Sequence, residues 1–237
     1  MPKEDFDINS LATYLHLTPE QVRKMADRSR LPGRRVSGQW RFSQAEIHQW
    51  FEERIGLSDE EELTKVEHVL QTASEKTLDE AFHIPDLLAV ENVYVPFLAR
   101  TKSSVIQRIC SLTSETGKLW DPVKMAEALQ TREELHPTAL ENGVALLHPR
   151  RPMSSIIGEP FLALGITSSG IPFGGPRGCL TDIFFLLGST SESVHLRLLA
   201  RLSRLIQQPE FLDRIRETEN PQEAWDMINE FDANLDV

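Results

Sequence analysis

The stretch TREELHPTALENGVALLHPRRP, residues 131–152, carries an apolar run, Val144–Leu147, up to a histidine and then turns at once into proline and arginine. The run is continuous rather than alternating, which predicts a short strand buried on both faces that delivers His148 to its exit. Upstream, PVKMAEALQTREEL (122–135) has helical spacing and is opened by Asp121-Pro122, an acidic cap followed by a proline at the first helical position. Downstream, PFLALGIT (160–167) and TDIFFLLG (181–188) read as two further buried strands, and NVYVPFLA (92–99) as another β-prone piece. A helix bearing Val105, Ile106, Ile109 and Leu112 on one face stops near Gly117. Three more helices close the chain: SVHLRLLARLSRLIQQ, the short PEFLDRIRE and NPQEAWDMINEF. Strands and helices mixed in this order imply an α/β unit, one sheet with helices on both faces.

Size and charge bound the function. At 237 residues and 40% hydrophobic content the chain can bury a large core or two smaller ones. Its longest apolar stretches fall far short of the roughly 20 residues that span a bilayer, and MPKEDFD has no signal-peptide core. No membrane contact and a cytoplasmic location are therefore expected. Cys110 and Cys179 lack metal-ligand spacing, so neither a disulfide scaffold nor a metal site is expected; no cofactor is expected either. The net charge of -11 would repel nucleic acid if it were uniform. It is not uniform: Arg23, Lys24, Arg28, Arg30, Arg34, Arg35 and Arg41 face only Asp27 in their segment.

That basic segment belongs to a small N-terminal module, residues 1–56. Leu11, Ala12 and Leu15 mark a first helix, and Thr18 caps a second, with Pro19 at its first position and Gln21 closing a capping box. Val22, Met25 and Ala26 form the apolar side of that second helix. The segment LPGRRVSGQWRF then turns at Ser37-Gly38, as a hairpin does. A third helix begins at Ser43, with Ile47, Trp50 and Phe51 as its apolar stripe. The order of elements and GQWRFSQAEIHQWFEER resemble the excisionase-like winged helix-turn-helix family over roughly residues 7 to 55. The resemblance implies DNA binding, with the second helix in the major groove and the hairpin as wing. Gln21 and Arg23 become the candidates for base edges, and Lys24, Arg28, Arg34, Arg35 and Arg41 for the phosphate backbone. Residues 57–83 form an acidic segment with helical spacing at Leu63, Val66, Val69 and Leu70, read as a linker helix through which a homodimer could pair.

From Ile84 to the end, TREELHPTALENGVALLH, GIPFGG and SVHLRLLARLSRLI resemble the fructose/mannitol/nitrogen class of enzyme IIA domains of the bacterial phosphotransferase system. Residues 84–237 would then form the enzyme IIA type 2-like domain. The family's ordered pattern falls on Arg132-Glu133, Thr138, Asn142-Gly143 and His148, with its second active-site histidine at His195. The resemblance implies that His148 accepts a phosphoryl group from a histidine phosphocarrier protein, that His195 donates a proton to it, and that Arg132 supplies a fixed cation. Thr138 and the Gly143 backbone become candidate phosphate-stabilising donors. Two positions depart from the pattern: Leu147 stands where proline is usual, and Pro149 follows the histidine directly. The expected function is a phosphorylation-controlled DNA-binding regulator. The alternatives are a phosphocarrier that passes the group to a separate enzyme IIB-like domain, and a catalytically silent enzyme IIA-like binding module.

Overall fold

The structure, a computed structural model, describes residues 5–14, 18–43, 46–47, 50 and 83–236. By compactness the chain divides into Met1–Glu80 and Ala81–Val237. The linker helix with its dimer seam, together with Leu15 and Phe51, lies outside the described residues.

In the first unit, α1 (Ile8–Tyr14) and α2 (Pro19–Asp27) precede a hairpin of β1 (Arg34–Val36) and β2 (Gln39–Arg41). The Asp7 carboxylate accepts from the Ser10 N–H at 2.8 Å ahead of α1, and these bonds to Ser10 hold its carboxyl below the usual range. The hairpin closes Val36 against Gln39 through Ser37 and Gly38, both at positive φ, 52° and 79°. A two-residue turn of this hand matches the strand twist, and glycine meets its demand without strain. Leu11, Ala12, Val22, Ala26, Leu31, Phe42 and Ile47 make the core, and Trp40 stacks on Phe42 at 5.9 Å. Val22, Ala26 and Phe42 thus pack inward as the sequence predicts, while Met25, Trp40 and Trp50 are half-buried.

The second unit runs α3 (Ile84–Leu87), β3 (Val93–Tyr94), α4 (Lys102–Glu115), α5 (Pro122–Leu135), β4 (Val144–Leu147), β5 (Phe161–Pro172), β6 (Leu180–Gly188), α6 (Glu192–Gln207), α7 (Phe211–Arg216) and α8 (Pro221–Ala233). Its sheet has the order β3-β5-β6-β4, parallel at both edges and antiparallel between β5 and β6. Ala145, Leu147, Phe161, Ala163, Phe184 and Leu186 bury one face against Ile106 and Ile109 of α4 and Met125 and Leu129 of α5. Alternation sends Val144, Leu146, Leu162, Ile183, Phe185 and Leu187 to the other face, which α3, α6 and α8 cover. Both faces are apolar because both are covered, which explains the unbroken apolar runs.

The predicted strand NVYVPFLA shrinks to two paired residues. Pro96 has no N–H to give the ladder, and only the Phe97 N–H returns to it, donating to the Ile166 carbonyl at 2.6 Å. By contrast β5 is longer than PFLALGIT, because a register shift between Ile166 and Ile171 lets it rejoin β6 as far as Pro172.

A charged knot lies between α6 and α8. The Arg201 Nε donates to Asp232 Oδ1 at 2.7 Å and its Nη2 to Oδ2 at 3.0 Å, with both side chains 1% exposed. The Ile84 N–H donates to the same carboxylate at 3.3 Å, and His83 Nδ1 lies 3.2 Å from it. His83 is thus part of this knot. Asp232→Ala would strand a buried guanidinium without its carboxylate, and a loss of about 3–5 kcal/mol in chemical denaturation is expected. Burial pushes the Cys110 thiol up to about 12, whereas Cys179 is only half-buried. A neutral-pH thiol titration of the native chain therefore reads one reactive group, and a titration in denaturant reads two.

Candidate functional site

His148 follows the last residue of β4, and its place in the alternation puts it on the face covered by α6. Its Nδ1 lies 2.8 Å from the Leu146 carbonyl oxygen. A carbonyl oxygen can only accept, so Nδ1 is the donor, and in the neutral ring this tautomer leaves the lone pair on Nε2. The ring is 4% exposed. Opposite stands His195, 3% exposed, with ring centroids 4.9 Å apart and planes tilted by 57°. His195 sits in the first turn of α6, its N–H donating to the Ser191 carbonyl at 3.1 Å, while Ser191 caps the helix by accepting from the Val194 N–H. The positive end of the helix dipole therefore falls beside the two rings, where negative charge is favoured.

The segment before β4 is laid along its open edge. The Leu140 N–H donates to the Val144 carbonyl at 2.8 Å, Ala139 bridges Ala145, and the Leu146 N–H reaches the Thr138 carbonyl at 3.4 Å. Continuing that antiparallel register puts His136 opposite His148. Arg132, nine-tenths buried on the last turn of α5, donates from Nη1 to the His136 carbonyl at 2.5 Å. It therefore stands at the end of β4 that carries His148. Next to it, Glu133 is 3% exposed; its Oε1 accepts from both the N–H (3.1 Å) and the hydroxyl of Thr138, and its Oε2 lies 2.9 Å from Lys102 Nζ. Lys102 also lies 4.9 Å from the centre of the Phe173 ring, which ties GIPFGG to the same group.

Two expectations need correction here. Thr138 is not an available phosphate donor, because its amide and its hydroxyl are both committed to Glu133. Gly143 lies at the opposite end of β4 from His148, about 16 Å away at the rise of an extended strand. Its N–H donates to the Leu140 carbonyl, and its φ of +85° makes a turn in which a Cβ would lie 2.8 Å from Arg216. Its place in the motif is explained by the turn into β4 rather than by the phosphate. Sequence reasoning missed Lys102, whose partners are distant in the chain and carry no local spacing signal.

On the N-terminal unit, Gln21, Arg23, Lys24, Arg28, Arg34 and Arg35 are exposed and Arg41 is half-buried. The capping box is formed: the Thr18 N–H donates to Gln21 Oε1 at 2.8 Å. Gln21 thus caps the start of α2 through its side-chain oxygen while lying on the exposed side of the helix. Arg34 pairs with Asp5 at 2.7 Å, and Arg35 with Asp27 at 3.0 Å while lying 5.0 Å from the Trp40 ring centre. Such exposed pairs are worth about 0–1 kcal/mol, little enough for phosphate to displace the carboxylate. The Arg41 Nη2 donates to Gln39 Oε1 at 3.4 Å. Among the described residues no group of His, Cys, Asp or Glu is placed to hold a metal ion, and no helix is long and apolar enough to cross a membrane.

Comparison with known proteins agrees with both units. The Bacillus subtilis PTS system fructose-specific EIIABC component is 27% identical over 63% of this chain, a match that spans only 23% of that longer protein. The Bradyrhizobium diazoefficiens nitrogen regulatory protein is 28% identical over 61% of this chain and 94% of its own length. The crystal structure of Nitrogen Regulatory Protein IIA-Ntr from Neisseria meningitidis covers 61% of this chain and 98% of its own with a TM-score of 0.55; at 20% identity it speaks to the fold alone. Residues 6–55 match the model of a helix-turn-helix domain. Residues 86–231, more than half of the chain, match the model of the phosphoenolpyruvate-dependent sugar phosphotransferase system, EIIA 2, and the chain belongs to that family.

Proposed function

We propose that this protein is a DNA-binding regulator whose enzyme IIA domain takes a phosphoryl group on His148 Nε2 from a histidine phosphocarrier protein. The observation that carries this reading is the meeting of two buried imidazoles 4.9 Å apart, one with its Nδ1 proton tied to the Leu146 carbonyl. Phosphoryl transfer asks the protein mainly for position and charge stabilisation. The Leu146 bond holds the tautomer and ring of His148, so its lone pair is presented without rearrangement. His195 donates a hydrogen bond to an oxygen of the incoming group, helped by the α6 dipole. Arg132 acts from the adjoining turn, with Glu133 and Lys102 holding that turn in place.

The acquired phosphate brings a charge of roughly −1.5 to −2, enough to bias the docking of a domain or subunit and hence DNA binding by the N-terminal unit. Arg23, Lys24 and Arg28 on and after α2, with Arg34, Arg35 and Arg41 on the wing, supply the salt-dependent attraction to the DNA backbone. A carrier role toward a separate enzyme IIB-like domain uses the same histidine and is distinguished by its acceptor.

Incubation with phosphoenolpyruvate and the phosphocarrier relay is expected to place one acid-labile phosphate per chain. His148→Ala abolishes it, and His195→Ala slows it by about 10²-fold. Label that survives His148→Ala overturns the site. In fluorescence anisotropy with duplex DNA, affinity falls steeply with salt, and Arg28→Ala flattens the slope of log K against log[salt] by about one unit.

A further inference from the structure

Buried hydroxyls almost always have hydrogen-bond partners, so one that lacks a partner calls for an explanation. Among the described residues, Thr181, Ser189 and Ser203 carry buried side-chain hydroxyls with no hydrogen-bond partner. Thr181 lies at the start of β6, near the Gly143 end of β4, and Ser203 lies two turns along α6 from His195. Ser189 alone stands at the His148 end. It is 2% exposed and directly follows the last residue of β6.

The strand register gives its place more closely. β4 and β6 are parallel with Leu147 beside Leu186, so continuing the pairing puts His148 beside Leu187. Phe185 and Leu187 face α6, as His148 does, and the same alternation brings Ser189 to that face. Its Cα then lies one strand across and two residues beyond His148, about 8 Å away. Two residues later Ser191 caps α6, which carries His195. Ser189 thus sits at the root of the connection between the strand beside His148 and the helix that holds the second ring.

From this position we infer that the Ser189 hydroxyl is a catalytic donor that binds an oxygen of the phosphoryl group carried by His148, an inference that rests on the reading of His148 as acceptor. In the transfer, the lone pair of His148 Nε2 forms the new N–P bond as the N–P bond to the donor's phosphohistidine breaks and its electron pair returns to the donor nitrogen. Ser189 keeps its proton throughout and directs it at an oxygen whose charge the group brings with it. Among side chains as buried as Ser189, His148 and His195, such a donor is worth more than on the surface. The unliganded protein bears the cost of a desolvated hydroxyl, and that cost is relieved when the phosphate arrives.

The full chain, Ser189→Ala and Ser189→Thr are compared in the phosphoenolpyruvate relay. Ser189→Ala is expected to slow labelling about tenfold and to shorten the lifetime of the labelled form, with Ser189→Thr recovering most of the loss because it returns a hydroxyl. The phosphohistidine ³¹P resonance shifts in the alanine variant, and its unphosphorylated form melts about 2–4 °C higher, because the unmatched polar group is gone. Labelling of Ser189→Ala within twofold of the unaltered chain overturns the assignment. So does a lower melting temperature together with no recovery by threonine, which marks a packing role. An unaltered chain that takes no label at all removes the His148 reading itself, and that result is distinct because the unaltered protein runs beside both variants.

Discussion

The pairing of β4 with β6, Val144 through Leu147 against Ile183 through Leu186, determines where the reactive groups of the C-terminal unit stand. A slip of one residue would exchange the two faces of β4, sending His148 to the α4–α5 side and Leu147 to the side of His195. The slip is prevented because both faces are buried: Ala145 and Leu147 fit one hydrophobic layer, Val144 and Leu146 the other. The outer edge of β4 is fixed as well, by the 138–140 segment, which Glu133 grips through Thr138. The position of one imidazole is therefore a consequence of apolar packing on two sides and a buried carboxylate on a third.

Two buried carboxylates of this unit each tie separate elements together. Glu133 joins α5, the 138–140 segment and Lys102 at the start of α4. Arg201 and Asp232 join α6 to α8. Each pair costs desolvation and returns direction more than net stability. Direction is what a phosphoryl-transfer site needs, because a misplacement of about 1 Å can cost 10²-fold in rate.

Much of this was legible in the sequence. Asp121-Pro122 marks the start of α5, and Ser191 caps α6 four residues before His195. The ordered motif leads to His148 and His195, which the fold brings together across more than forty residues of chain. Order along a chain is not adjacency, however. Gly143 is close to His148 in sequence, yet an extended strand carries the two apart, whereas Lys102 is remote in sequence and close to Glu133 in space. Thr138 shows a second limit: a polar side chain suited to a ligand can already be committed to a neighbour, and residue type does not reveal it. Ser189 is the converse, hidden within a run of serine and threonine that reads simply as a helix cap.

The carboxylate of Asp232 also meets the backbone of Ile84, so the first helix of the C-terminal unit is fastened to its last. Entrance and exit of this unit are thereby neighbours, and a polypeptide can pass through it as through a bead, entering and leaving on one side. A module of that geometry can be threaded into a longer protein or stand almost alone with little disturbance to its interior. Its relatives show both arrangements, occupying a small fraction of a fructose component and nearly the whole of a nitrogen regulatory protein.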